Sequence, residues 1–251
     1  MAPISVADPL EADKLGPAGL ANKSQPDELA QLAGPRALET LVTMSLSATQ
    51  KRQRFLALSA EAAACIRCPA MCARAAVLTE LNGPVDARVM FIGEAPGRKG
   101  ADRTRVPFSG DQSGRNFERF LESIGLARSQ IFITSAALCN PRSASGANRR
   151  PSSSEVRNCS DFLTRTIDLI QPSVIVTLGT VALEALKLIH DHEFSLKNDA
   201  ARIRRWHDRL LIPLYHPSPQ VLITSRKEKA QLRDYQVVAR TIKKIATKAA
   251  A

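Results

Sequence analysis

Val89-Met90-Phe91-Ile92-Gly93-Glu94-Ala95-Pro96-Gly97 is the stretch on which the fold turns. Its four leading apolar residues, closed off by glycine, are too short a run for a buried helix and read as a strand covered on both faces. Similar runs recur at Ile131–Thr134, Val174–Leu178 and Leu210–Leu214, separated by amphipathic stretches around Gly114–Ile124, Ser154–Ile170 and Thr180–Ile189. Strands alternating with helices predict an α/β fold: a three-layer α/β/α sandwich around a central, mostly parallel four-stranded sheet. Ligands of such sheets bind at the carboxyl ends of the strands. Two of these ends are unusual: Glu94 among small residues after the first strand, and His216-Pro217-Ser218-Pro219 after the last.

Outward from this core, a helix is expected over Ala48–Ala64, leading into Cys65, and a final one from about Lys227 to Lys248. Residues 1–48 mix Pro, Ala, Gly, Asp and Ser without a sustained period and read as a flexible extension with a short helix near Asp27–Leu32. Residues 49–251 then form a single catalytic domain, the size expected for one core. No apolar run approaches the roughly 18 residues of a membrane span. Asp8, Glu11 and Asp13 stand where a signal peptide would be apolar, which places the chain inside a cell, in the cytoplasm. The net charge of +11 points to a polyanion, with nucleic acid first and an anionic membrane second. Basic residues gather at Arg98, Lys99, Arg103 and Arg105, at Arg149 and Arg150, and at Arg202, Arg204 and Arg205, either as solvated faces or as phosphate contacts.

Five cysteines occur. Cys65 and Cys68 form a C-x-x-C, the spacing that turns two thiolates onto one metal. Cys139 follows a strand and Cys159 lies in the next helix, so a site of four thiolates is feasible, for zinc or an iron–sulfur cluster alike. Cys72 competes as a ligand, and its plainer reading is a small buried thiol. The Glu94 turn reads either as a helix-capping βα turn or as a close approach to a ligand. Downstream, Pro107-Phe108-Ser109-Gly110-Asp111-Gln112-Ser113-Gly114 sets an aromatic beside a glycine turn that opens a helix.

In this order the motifs C-x-x-C, GEAPG, PF-x-G-x-x-x-G, a cysteine, Asn148-Arg149-Arg150-Pro151, a second cysteine, Leu178-Gly179-x-x-Ala182 and HPS resemble the uracil-DNA glycosylase superfamily. The likeness is to its iron–sulfur members, families 4 and 5, and runs from about Cys65 to about Tyr235. The resemblance implies hydrolysis of the glycosidic bond of uracil in single- or double-stranded DNA, by a nucleoid-associated monomer without a membrane partner. It also implies a [4Fe–4S] cluster held by Cys65, Cys68, Cys139 and Cys159. A flipped base needs a stacking platform and hydrogen bonds at its edge, and cleavage builds positive charge on the sugar and negative charge on the leaving pyrimidine. By resemblance Phe108 stacks the base, His216 donates to its O2, and Gly93, Ala95, Pro96, Gly97, Asn148 and Ser218 line the pocket. Arg149, Arg150 and Gln220 then meet DNA.

Three departures stand out. GEAPG is the family 4 form, with Glu94 as catalytic carboxylate, whereas Phe108-Ser109-Gly110-Asp111 resembles family 5, in which Asp111 takes that role; both are present. Ser135 stands where family 4 has an Asn that reads the base, which implies looser selection extending to other deaminated bases. Gln220-Val221 replaces the hydrophobic wedge that often follows HPS. None of the four histidines lies in the loop after Gly97, which rejects the covalent-trapping variant. Two other readings stay open: a non-catalytic iron–sulfur DNA-binding module, and a zinc-stapled α/β protein with a small-molecule substrate.

Overall fold

The computed structural model describes residues 46–250, with side chains to 247. The expected N-terminal extension, apart from its last three residues, and the helix near Asp27–Leu32 lie outside the described residues. In chain order the elements are α1 (Ala48–Ala63), β1 (Val89–Gly93), α2 (Ala101–Thr104), α3 (Gln112–Glu122), β2 (Ile131–Ser135), α4 (Ser153–Ile170) and β3 (Val174–Leu178). They continue with α5 (Thr180–Lys187), α6 (Leu196–Asp199), β4 (Arg204–Trp206), β5 (Arg209–Leu214), α7 (Pro219–Thr224) and α8 (Glu228–Ala250). No described helix is long and apolar enough to cross a membrane.

The sheet order is β2-β1-β3-β5-β4, with β4 alone antiparallel. Alternate side chains of each strand point to opposite faces. Met90, Ile92, Phe132, Ile175 and Leu211 therefore meet α1, α4 and α5 on one side. Val89, Phe91, Ile131, Ile133, Val176 and Ile212 meet α3 and α8 on the other. Both faces are covered, which is why every residue of β1 and β3 is buried.

The helices start where their sequence says they should. Ser47 and Gln50 form a reciprocal capping box at α1, as Ser152 and Glu155 do at α4. Phe55, Leu58 and Ala62 then fall on the buried stripe of α1, with Phe55 edge-on to Phe132 at 5.5 Å.

The sheet has five strands rather than the expected four. The extra one, Arg204-Arg205-Trp206, is three residues long, carries two arginines and pairs only with β5 at the sheet margin. Such a strand has no alternation to betray it, and its charges are those that keep an exposed edge from pairing with another chain. Trp206 is its anchor, buried and donating from Nε1 to the His190 carbonyl at 3.0 Å.

Phe91 lies between Phe117, ring centroids 5.3 Å apart, and Tyr235, stacked at 6.3 Å. Phe91→Ala is expected to lower the unfolding free energy by about 3–5 kcal/mol in a denaturant titration. A loss under about 1 kcal/mol would show that this layer repacks.

Candidate active site

Parallel register sets the site. Gly93 ends β1 opposite Ser135, and the ladder runs on past both strands: the Gly93 carbonyl accepts from Ala136 N (2.9 Å) and the Glu94 carbonyl from Ala137 N (3.0 Å). Beyond this edge opens a cleft of about 330 Å³. From the loop after β1 it is lined by Glu94, Ala95, Pro96 and Gly97; from the loop before α3 by Phe108 and Asp111; from β2 and beyond by Ser135, Asn148 and Arg149; and after β5 by His216 and Ser218. The sequence singled out each of these, but not Val77, Ala101, Asn140 or Pro141, which also line the cleft. Gly93 lies beneath them, and a methyl group on it would stand 2.9 Å from the Phe108 ring, so only glycine lets the aromatic settle there.

Phe108 adopts φ 48°, a left-handed conformation unusual for a bulky residue. Arg128 supports it from outside the cleft, donating to the Pro107 carbonyl at 2.8 Å and the Phe108 carbonyl at 2.6 Å while paired with Glu118. The Phe108 ring lies 4.7 Å from Phe117 and 5.5 Å from the His216 imidazole, centroid to centroid.

Asp111 caps α3: its Oδ1 accepts from Gly114 N at 2.9 Å. Its Oδ2 turns toward Gly97, where an added methyl would stand 2.9 Å away. Glu94 is half-buried, and burial pushes its carboxyl above the usual range, with Arg150 partly opposing the shift. Burial also drives the His216 imidazole down, to about 4, although the Asp111 carboxylate pulls the other way. The ring is thus neutral near pH 7.

Two buried amides fix the loop that carries it. Asn116 of α3 donates to the Pro217 carbonyl at 2.8 Å, and Gln231 of α8 donates to the His216 carbonyl at 3.3 Å. Asn140, buried beside the cleft, donates to the Pro96 carbonyl at 2.6 Å and to Asn148 Oδ1 at 3.0 Å. Sequence reading missed Arg128, Asn116, Gln231 and Asn140. Only Asn140 left a trace, as a polar residue directly after Cys139.

Ser218 lines the cleft, but its hydroxyl caps α7 by accepting from Val221 N at 3.4 Å. Arg149 grips Glu155 through two bonds of 2.6 and 2.7 Å, so its charge is already matched. Arg150 and Gln220 are exposed and stand outside the lining, Arg150 reaching Glu184 at 3.0 Å.

Cys65, Cys68, Cys139 and Cys159 line one small cavity between the segment after α1, the β2 loop and α4. Asn158 donates to Cys68 Sγ at 3.4 Å. Burial, reinforced by the neighbouring thiols, pushes Cys139 up to about 12; burial likewise pushes Cys159 up to about 11. Four thiols gathered where thiolates are disfavoured call for a cationic centre to offset the charge. Among the described residues no group of three or more metal-ligating side chains is placed to hold a metal ion. Cys72 is exposed, outside that cavity, its thiol donating to the Pro69 carbonyl at 3.2 Å, which corrects the reading of it as a buried thiol.

A family model described as the uracil DNA glycosylase superfamily matches residues 81–237. A type-4 uracil-DNA glycosylase of Archaeoglobus fulgidus is 36% identical over 141 residues, 54% of this chain and 68% of that protein. Another of the same name, from Sulfurisphaera tokodaii, is 33% identical over 142 residues, 55% of this chain and 62% of its own length. A type-5 uracil-DNA glycosylase of Pyrobaculum aerophilum is 32% identical over 162 residues, 57% of this chain and 67% of that one.

NMR titration of the His216 ring is expected to find its midpoint near 4 rather than at the ordinary 6.5. Between those two pH values the unfolded chain takes up a proton that the folded one refuses, so this ring makes stability fall as pH falls through that window. A midpoint above 6 would contradict the neutral ring.

Proposed function

Because the chain belongs to the uracil DNA glycosylase superfamily, we propose that it hydrolyses the N-glycosidic bond of uracil, and of other deaminated bases, in DNA to leave an abasic site. The observation that carries this is the single cleft in which Phe108, Glu94, Asp111 and His216 converge at the carboxyl edge of the sheet. A base turned out of the duplex stacks on Phe108. Neutral His216 donates an N–H to the base oxygen on which negative charge grows as the bond breaks, and being uncharged it does so without having to be desolvated as a cation. Ser135, with one hydroxyl against the base, supports acceptance of more than uracil.

Of the two carboxylates, Asp111 is the better placed to face a sugar cation or orient water. One oxygen is held by the α3 N-terminus and the other lies beside Gly97 and Gly100, whereas Glu94 is half-buried and burial raises its carboxyl above the usual range. The surface around the cleft meets DNA: Arg98 and Lys99 are exposed on the Glu94 loop, and Arg150 is exposed on the loop after β2. Arg149 serves structure instead. The four cysteines fit a [4Fe–4S] cluster, which when bound supplies a cationic cross-link joining the segment after α1, the β2 loop and α4. That reading is supported by the all-thiol donor set, gathered around one cavity.

Base release from oligonucleotides carrying uracil, hypoxanthine, xanthine or thymine mismatches tests the activity; DNA binding without release of any base would instead favour the non-catalytic module. In the same assay Asp111→Asn is expected to lose about 100-fold or more and Glu94→Gln less than about tenfold. The reverse order would transfer the role to Glu94. Cys159→Ser is expected to abolish the brown absorbance and bound iron of the purified protein, and Cys72→Ser to leave both intact; colour lost in Cys72→Ser would revise the ligand set.

A further inference from the structure

We propose that Asp102, Arg142 and Asn140 form a relay that locks the Asn148 amide with its N–H groups toward the cleft, making that wall a donor-only reader of a carbonyl oxygen on the base. The inference rests on the glycosylase reading above and names residues that decide its base selection.

The two ends of an amide have nearly the same shape, so its direction has to come from partners that can only donate or only accept. Three such partners are present. The backbone N–H of Arg98 donates to Asn148 Oδ1 at 2.9 Å. The Arg142 guanidinium, which has no acceptor, donates from Nε to Asn140 Oδ1 at 2.6 Å. The Pro96 carbonyl, which cannot donate, accepts from Asn140 Nδ2 at 2.6 Å. The last two fix Asn140, whose Nδ2 then joins the Arg98 N–H in holding Asn148 Oδ1, the bond between the amides being 3.0 Å. Turning over either amide would set donor against donor.

The chain of bonds has an anchored origin. Arg142 is aimed by an ion pair with Asp102, whose side chain is only 11% exposed, and the Asp102 N–H is itself bound to the Gly97 carbonyl at 3.1 Å. Asn140 is 1% exposed, so an unmatched polar end there would be costly and the network has one stable arrangement. What remains is Asn148 Nδ2, for which no protein acceptor is present among the described residues. It lies 3.7 Å from the point where a methyl on Gly97 would stand, a point 2.9 Å from Asp111 Oδ2.

A wall of fixed donors selects by chemistry. Uracil, hypoxanthine and xanthine present carbonyl oxygens that accept; cytosine and adenine place an amino group at the corresponding edge and meet a donor that cannot turn away. Asn148 is exposed in the free protein, and a base that covers its N–H groups without accepting from them takes away their bonds to water, which rejects it more strongly than shape alone. Ser135, whose hydroxyl rotates freely between donating and accepting, cannot make this distinction, and Asn148 supplies it.

The test compares the native protein with Asn140→Asp, Arg142→Met and Arg142→Lys, on oligonucleotides containing uracil, 2-thiouracil or 4-thiouracil. Sulfur is the poorer acceptor, and its effect on leaving-group strength cancels when each variant is set against the native protein. Asp at position 140 still accepts from Arg142 but can no longer donate to Asn148, and its carboxylate draws the Asn148 N–H groups away from the cleft. Uracil release by Asn140→Asp should fall about tenfold or more in kcat, with KM changed less than about threefold. The native preference for oxygen over sulfur at one of the two positions should flatten. Arg142→Met should move the same way, and Arg142→Lys, whose ammonium can replace only part of the fork that serves Asn140 and Asp102 together, should fall between native and Arg142→Met. Native-like selectivity in Asn140→Asp or in Arg142→Met overturns the relay. Equal loss on all three bases with a raised KM overturns it too, by reducing the network to scaffolding. If the native protein releases no base, the glycosylase reading fails before the relay is reached.

Discussion

The parallel pairing of β1 with β2 and β3 is the constraint on which the rest of this molecule depends. Gly93 sits opposite Ser135, and a slip of one residue would carry Phe91 to the wrong face and Glu94 out of reach of the cleft. The same pairing continues past the strands as backbone bonds between residues 93–94 and 136–137, so the two loops that bear most of the cleft leave the sheet already tied together. Asn140 on Pro96, Asn148 under Arg98 and Arg142 on Asp102 add side-chain stitches to the same seam.

Part of the arginine content that gives the chain its basic character is engaged in ion pairs within the fold. Arg128, Arg142, Arg149, Arg165 and Arg226 each grip a carboxylate, and Arg128 and Arg149 also bind carbonyls of the loops that shape the cleft. The planar fork of the guanidinium suits it to such duties, where a lysine would make one bond of two or three. Each such pair cancels in the net charge, so the excess of +11 rests on the other basic residues. Arg98, Lys99 and Arg103, all exposed on the segment after Gly97, are better placed to meet a polyanion.

The sequence was most informative where local chemistry decides local shape. The four parallel strands were legible as short apolar runs, α1 from its helix-forming composition and periodicity, α4 from its amphipathic pattern, and the cleft residues from two odd strand ends and a glycine turn. Short elements were not: α2, α6 and α7 are four to six residues long, and β4 hides in a charge cluster. Nor were the residues that aim others. Asn116 meets Pro217 across 101 positions, and nothing in a helix of mixed polar residues marks one amide as buried and paired. Cys72 was misplaced because C-x-x-C spacing fixes its neighbours while leaving the thiol four residues on free to point outward.

The bond from Gln231 to the His216 carbonyl gives the last helix a standing that its plain sequence conceals. A segment of alanines, lysines and valines at the chain's end resembles the sort of tail that is trimmed or fused without thought. Here it acts as a buttress for the imidazole loop, and alterations near Gln231 would register at the reacting base while leaving every recognisable motif untouched. Tolerance maps of this protein should accordingly show a sensitive stripe along the inner side of α8, remote in sequence from the motifs and adjacent to them in space.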